Sequence, residues 1–123
     1  MAAINPTYSY VGAGEHTVVV TWANVTQADT FTPIGPRWAD YADRNVQIQG
    51  TFGGATVVLT GSNDGSNYFT LTDPQGNSIS KTSAALEQIT EATAFVQPTH
   101  SGGAGESVTV VMLMRRGRGG LEV

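Results

Sequence analysis

The 123-residue sequence has no cysteine, a single lysine (Lys81) and only two histidines (His16 and His100). Without thiols it forms no disulfide, thiolate zinc site, iron–sulfur cluster or cysteine nucleophile. That fits a chain folded in a reducing cytoplasm. Charged residues make up 13%, well below the roughly one-quarter usual in globular domains. Thr, Ser, Asn, Gln and Gly must then cover most of the surface, leaving few charges to oppose docking against another protein. Six Lys+Arg against ten Asp+Glu give a net charge of −4. This argues against a role in coating nucleic acid, where affinity comes mainly from clustered cations. No run approaches the roughly eighteen apolar residues of a membrane-spanning helix. Residues 1–6 carry neither the cationic start nor the apolar core of a signal peptide. The expectation is a soluble protein without export signal or membrane partner.

What is abundant points to strands. Sixteen Thr and thirteen Val are both stiff at the first side-chain torsion and suited to a pleated surface, and fifteen Gly and five Pro punctuate the chain at short intervals. The length suits one domain that hides roughly two-thirds of its unfolded surface. The expected fold class is all-β: an antiparallel, jelly-roll-like β-sandwich of about eight strands. Val18, Val20 and Trp22 alternate with Thr17, Val19 and Thr21, and Val46, Ile48 and Phe52 alternate with Asn45, Gln47, Gln49 and Thr51. Ala55, Val57 and Leu59 continue the pattern, and Phe52-Gly53-Gly54 reads as the turn of an antiparallel hairpin. Ser62-Asn63-Asp64-Gly65 and Asp73-Pro74-Gln75-Gly76-Asn77 are further turns. Strands are expected near residues 7–11, 78–82, 93–97 and 107–115. Residues 83–90 suit a short helix or a strand, and residues 24–43 suit a long crossover loop. The organisation is an N-terminal arm (1–6), a β-sandwich domain (7–114) and a basic Gly/Arg C-terminal tail (115–123). Residues 1–114 carry a net charge of −6 and the tail +2.

Catalytic patterns are missing. No serine lies in a nucleophile-elbow pattern, and His16 and His100 each sit near a glycine-containing turn and read as loop residues. Asp40 and Asp43 lie beside Arg37 and Arg44, which suits a loop-ordering ion-pair set better than a glycosidase carboxylate pair. No spacing fits an EF-hand, a two-histidine zinc site or a phosphate-binding glycine loop. The expectation is a protein that is not an enzyme, with no cofactor and no metal.

Interaction features take their place. The strand Val108-Thr109-Val110-Val111-Met112-Leu113-Met114 is apolar on both faces. Its second face, with Val111 and Leu113, is either covered by a loop or forms an intersubunit contact. Arg115, Arg116 and Arg118 can pair with acidic groups on a partner or an adjacent copy. Phe31, Trp38 and Tyr41, in the long loop, either cap one end of the sandwich or form a second contact patch.

The run Gly50-Thr51-Phe52-Gly53-Gly54-Ala55-Thr56-Val57-Val58-Leu59-Thr60-Gly61-Ser62-Asn63-Asp64-Gly65-Ser66-Asn67-Tyr68 resembles small virion proteins of tailed bacteriophages. The similarity continues through Leu71-Thr72-Asp73-Pro74-Gln75-Gly76-Asn77. The opening Asn5-Pro6-Thr7-Tyr8-Ser9-Tyr10 is similar to that of capsid cement (decoration) proteins of the small jelly-roll type. The resemblance implies a homo-oligomer, dimer or trimer, bound to the phage major capsid protein on the outer capsid surface of the virion and made in the host bacterial cytoplasm. It would bridge neighbouring capsid subunits and stabilise the mature head. The turn at residues 62–65 also occurs in carbohydrate-binding sandwiches, so the alternative is a glycan-binding module of a tail fibre or baseplate, or another head–tail component.

Overall fold

The computed structural model describes residues 2–12 and 14–116. These residues form eleven strands and one turn of 3-10 helix: β1 (Ala3–Ile4), β2 (Thr7–Tyr10), β3 (Thr17–Thr26), β4 (Thr30–Phe31), the 3-10 turn (Pro36–Trp38), β5 (Asp43–Thr51), β6 (Ala55–Ser62), β7 (Phe69–Thr70), β8 (Ser80–Lys81), β9 (Ala85–Ile89), β10 (Phe95–Gly102) and β11 (Ser107–Arg115). The fold is an all-β, antiparallel, jelly-roll-like sandwich. One sheet has five strands in the order β2-β3-β11-β5-β9. The other has the order β10-β6-β7, with β8 also on β6, and β1 and β4 make a small parallel pair.

Alternation decides which side chains meet between the sheets. Val18, Val20 and Trp22 of β3, Val46 and Ile48 of β5, and Val108, Val110, Met112 and Met114 of β11 are buried. Facing them are Val57 and Leu59 of β6, Val96 of β10, Leu71 and Ile79. Each such side chain contributes about 1.5–3 kcal/mol by leaving water.

The expected hairpin at Phe52-Gly53-Gly54 is corrected by the pairing. β5 bonds to β11 and β9, whereas β6 bonds to β10, β7 and β8. The glycines turn a corner between the sheets instead of closing a ladder. Gly50, Gly53 and Gly54 all have positive φ, and a Cβ on Gly50 would press on the Ser107 carbonyl oxygen. Residues 83–90 resolve into the edge strand β9, paired to β5 from Arg44↔Ile89 to Ile48↔Ala85.

The long segment after β3 contains β4 and the 3-10 turn, and Arg44 fastens it down. This side chain, 2% exposed, donates to the Tyr41 carbonyl at 2.6 Å, the Thr93 carbonyl at 2.9 Å and the Trp38 carbonyl at 3.0 Å. The expected ion-pair set of this region therefore works through carbonyl groups. Asp43 pairs with Arg115 instead, at 2.6 Å.

Candidate functional site

Strand register places two rows of side chains on the outer face of the five-stranded sheet. Thr7, Thr21, Val111, Gln47 and Leu86 lie side by side across all five strands. Ser9, Val19, Leu113, Asn45 and Gln88 form the next row. Neither row holds a charge. Val19, Val111 and Leu113 are half-buried, Gln47 and Gln88 are exposed, and Leu86 is 65% exposed. The face is thus open to solvent, and the loop expected as one possible cover for Val111 and Leu113 is not there among the described residues. Arg115 and Asp43 close one end of it as an exposed ion pair.

A second cluster lies at the end where the 3-10 turn meets β2. Tyr8 and Tyr10 are in register with the core residues Val20 and Val18 and project beyond the core over Trp38. Tyr8 stacks on Trp38 with centroids 4.9 Å apart at 13°, and Tyr41 meets Trp38 edge-on at 5.3 Å. The Arg37 guanidinium lies 4.8 Å from the Trp38 ring centroid, and that of Arg116 lies 5.3 Å from the Tyr41 ring centroid. Tyr41 donates its hydroxyl to the Glu15 carbonyl at 2.6 Å. Burial raises the pKa of both Tyr8 and Tyr41, against the opposing pull of Arg37 on Tyr8 and of Arg116 on Tyr41.

Of the expected contact residues, Val111 and Leu113 sit on the open face, Arg115 at its margin and Arg116 over Tyr41. Arg118 lies outside the described residues. Phe31, Trp38 and Tyr41 are corrected: they are core residues, 2%, 5% and 6% exposed. Trp38 and Tyr41 cap one end of the sandwich because Arg44 pins the segment that carries them. Phe31 packs against Trp22 and His100, and the rings that reach solvent beside Trp38 are Tyr8 and Tyr10.

His100 is also corrected from loop residue to strand residue. In β10 it follows Val96 and Pro98 on the core-facing side. Its Nε2–H donates to the Asp29 carbonyl at 2.7 Å, and its Nδ1 meets Glu106 Oε2 at 2.6 Å. The Glu106 side chain is fully buried, and its Oε1 has no partner. Burial opposes the charge on His100, but the Asp29 carbonyl and the Glu106 carboxylate outweigh it and raise the imidazole pKa. Beside this pair is a cleft of about 260 Å³ lined by residues 27–31 and 97–100. Sequence reasoning missed the pair because the two residues flank a glycine loop, His100 in β10 of one sheet and Glu106 just before β11 of the other. Among the described residues no group of three or more His, Asp or Glu side chains gathers to hold a metal, and no helix is long and apolar enough to cross a membrane.

The Ser62–Asn67 turn is built around Asp64. Backbone N–H groups of Asn67 and Ser66 donate to its carboxylate at 2.9 and 2.8 Å, and they hold its pKa far below the ordinary carboxylate range.

No family model matches the chain, and no curated protein matches its sequence. Among solved structures it is similar to hydroxypropylphosphonic acid epoxidase from S. wedmorenis, with 10% identity and a TM-score of 0.34 over 85% of this chain and 48% of that one. It is similar to a cupin-superfamily sugar phosphate isomerase from Silicibacter pomeroyi, with 10% identity and a TM-score of 0.31 over 80% and 49% of the two chains. A carbohydrate-binding module, CBM29-2 in complex with cellohexaose, shows 10% identity and a TM-score of 0.32 over 89% and 74%. The chain spans about half the length of the first two. Those two are enzymes, so the expectation that this chain is not one is not upheld. The likeness at this level carries neither activity to this chain.

Proposed function

We propose that this chain is a docking protein of a phage head, a capsid cement protein that lays the outer face of its five-stranded sheet on the assembled shell. The observation that carries the reading is that face: ten residues in two rows across five strands, without a charge. Five strands about 4.8 Å apart and two rows about 7 Å apart make it roughly 20 by 14 Å. Covering these rows alone would bury roughly 600 Å² counted on both partners, so a stable specific interface, about 1,200 Å² or more, must run on along β3, β11 and β5 beyond them. The resemblance of residues 50–68 and 5–10 to virion proteins supports the same reading. A protein that binds only the mature lattice stabilises it by RT ln(1 + [L]/Kd), about 4 kcal/mol per site at a thousandfold excess over Kd.

The test adds purified protein to expanded heads assembled without it. Wild type should decorate them and raise their disruption temperature. Val111→Asp should fold normally, since residue 111 faces solvent, yet bind about a hundredfold more weakly, as expected for a charge placed in the middle of a desolvated face. Decoration by Val111→Asp equal to wild type, or no decoration by either, would end the proposal. A second reading, glycan binding, draws on the cleft beside His100, which Gln27, Gln97 and Thr99 help to line. Saturable binding of cellohexaose lost on Gln97→Ala would favour it.

A further inference from the structure

We infer that the end of the sandwich formed by Tyr8, Tyr10 and Arg37 is a second docking surface, shaped for a protein segment in which carboxylates alternate with apolar side chains. It is separate from the open sheet face and does not depend on what that face binds.

The surface is preorganised. Tyr8 rests flat on Trp38, Trp38 is held edge-on by Tyr41, and the Trp38 carbonyl is tied to the buried Arg44. Tyr8, Tyr10 and Val11 are nevertheless 44%, 40% and 47% exposed, so large apolar area stands in water at little further cost in ordering. Tyr, Trp and Arg are the residue types that most often anchor interfaces.

Charge selects the occupant. Arg37 and Arg116 are exposed, and among the described residues neither lies within ion-pair distance of a carboxylate. Of the nearby cations, Arg44 is buried against carbonyl groups and Arg115 is held by Asp43, which leaves Arg37 and Arg116 unpaired among the described residues. The other carboxylates close in sequence are Glu15 and Asp40. In the rest of the described chain Lys81 alone stands against six carboxylates. Guanidinium groups resting on ring faces keep their N–H edges free for bidentate carboxylate contacts. A neutral glycan would leave both cations unused. A nucleic acid, with its dense charge, would meet repulsion from the acidic remainder. Carboxylates spaced among apolar side chains match both the arginines and the tyrosines.

The probe is a short fluorescein-labelled peptide of interspersed glutamate, leucine and serine, with a lysine-for-glutamate counterpart, titrated by anisotropy into the full chain at low salt. The glutamate peptide should bind saturably and at least about tenfold more tightly than the lysine peptide, and lose affinity as salt screens the contact. Arg37→Glu should weaken it about tenfold or more, as loss of an interface anchor does. Leu86→Ser, on the open sheet face, should leave it unchanged. Tyr8→Ser should act like Arg37→Glu; if it unfolds the edge strand, Arg37→Glu decides alone, because residue 37 is exposed. Equal binding of the two peptides, no saturable binding, or full binding by Arg37→Glu would overturn the inference. So would binding of cellohexaose that Tyr8→Ser abolishes, which would make the surface a glycan platform.

Discussion

Replacing Glu106 by Ala tests the buried His100–Glu106 pair directly. The carboxylate lies 2.6 Å from His100 Nδ1 with no side-chain exposure. Its removal leaves a ring N–H facing a cavity, with only the Asp29 carbonyl at the other nitrogen. Breaking a buried pair from one side costs about 3–5 kcal/mol. At a urea m-value of roughly 2 kcal/mol per molar, the unfolding midpoint should fall by about 2 M. Trp22 and Trp38, both buried, supply the fluorescence signal. Replacing both partners by apolar residues, His100→Leu with Glu106→Leu, should restore most of the loss, because no polar group then stays unpaired. The pair also sets a pH dependence. The folded-state pKa of His100 is raised, so the folded protein holds a proton that the unfolded chain releases above about 6.5. Its contribution is complete below that pH and disappears as pH rises through the folded-state value, with a slope of at most about 1.4 kcal/mol per pH unit. The groups facing His100 are the Phe31 ring, the Asp29 carbonyl and carboxylate, and Glu106. A Glu106→Ala cost below about 1 kcal/mol would refute the argument. A stability profile between pH 6 and 9 no steeper than that of His100→Leu would refute it as well.

Two other substitutions probe the scaffold. Gly50→Ala places a Cβ against the Ser107 carbonyl at φ +115 and should cost about 2–3 kcal/mol, read as a lower thermal midpoint; an unchanged midpoint would mean that the β5–β11 ladder shifts freely. Arg44→Met removes the side-chain donor from three carbonyls, of which Trp38's still accepts from the Tyr41 N–H, and should cost about 2–4 kcal/mol while admitting acrylamide to Trp38; Arg44→Lys should rescue little, lacking the fork that reaches all three.

The sandwich was legible wherever one face of a strand is wet. Val18, Val20 and Trp22, or Val46 and Ile48, announce strand and inner face together, because period two has no other structural meaning there. Turns with specific chemistry were equally legible, since Asp64 and Asp73 close them with their own carboxylates. What alternation does not encode is which strand lies beside which. Glycines with positive φ permit a two-stranded turn or a corner between sheets, so the link from β5 to β6 was misread. The run Ala85-Leu86-Glu87-Gln88 favours helix by propensity, and pairing with β5 overrides it. Phe31, Trp38 and Tyr41 show no period, and the last two are held by Arg44, whose three carbonyl partners no spacing predicts. His100 was missed for the same reason: Glu106 is near in sequence but on another strand's approach, and Pro98 obscured the strand between them. Of the candidate sites, the outward-facing apolar position of Val111 and Leu113 could be read from a strand apolar on both sides, whereas Tyr8, Tyr10 and Arg37 needed the three-dimensional arrangement.

Among the described strands β11 comes last in sequence, yet it occupies the middle of the larger sheet, between β3 and β5. Until it emerges from the ribosome, those two strands have no common neighbour and half of the interior has no floor. A nascent chain halted before Ser107 would expose Val18, Val20, Trp22, Val46 and Ile48 as two sticky ribbons. Completion of this sandwich is therefore tied to the last of its described strands to be translated, and ladders joining such distant segments form slowly. A cell making this protein in quantity would need to shield the waiting strands.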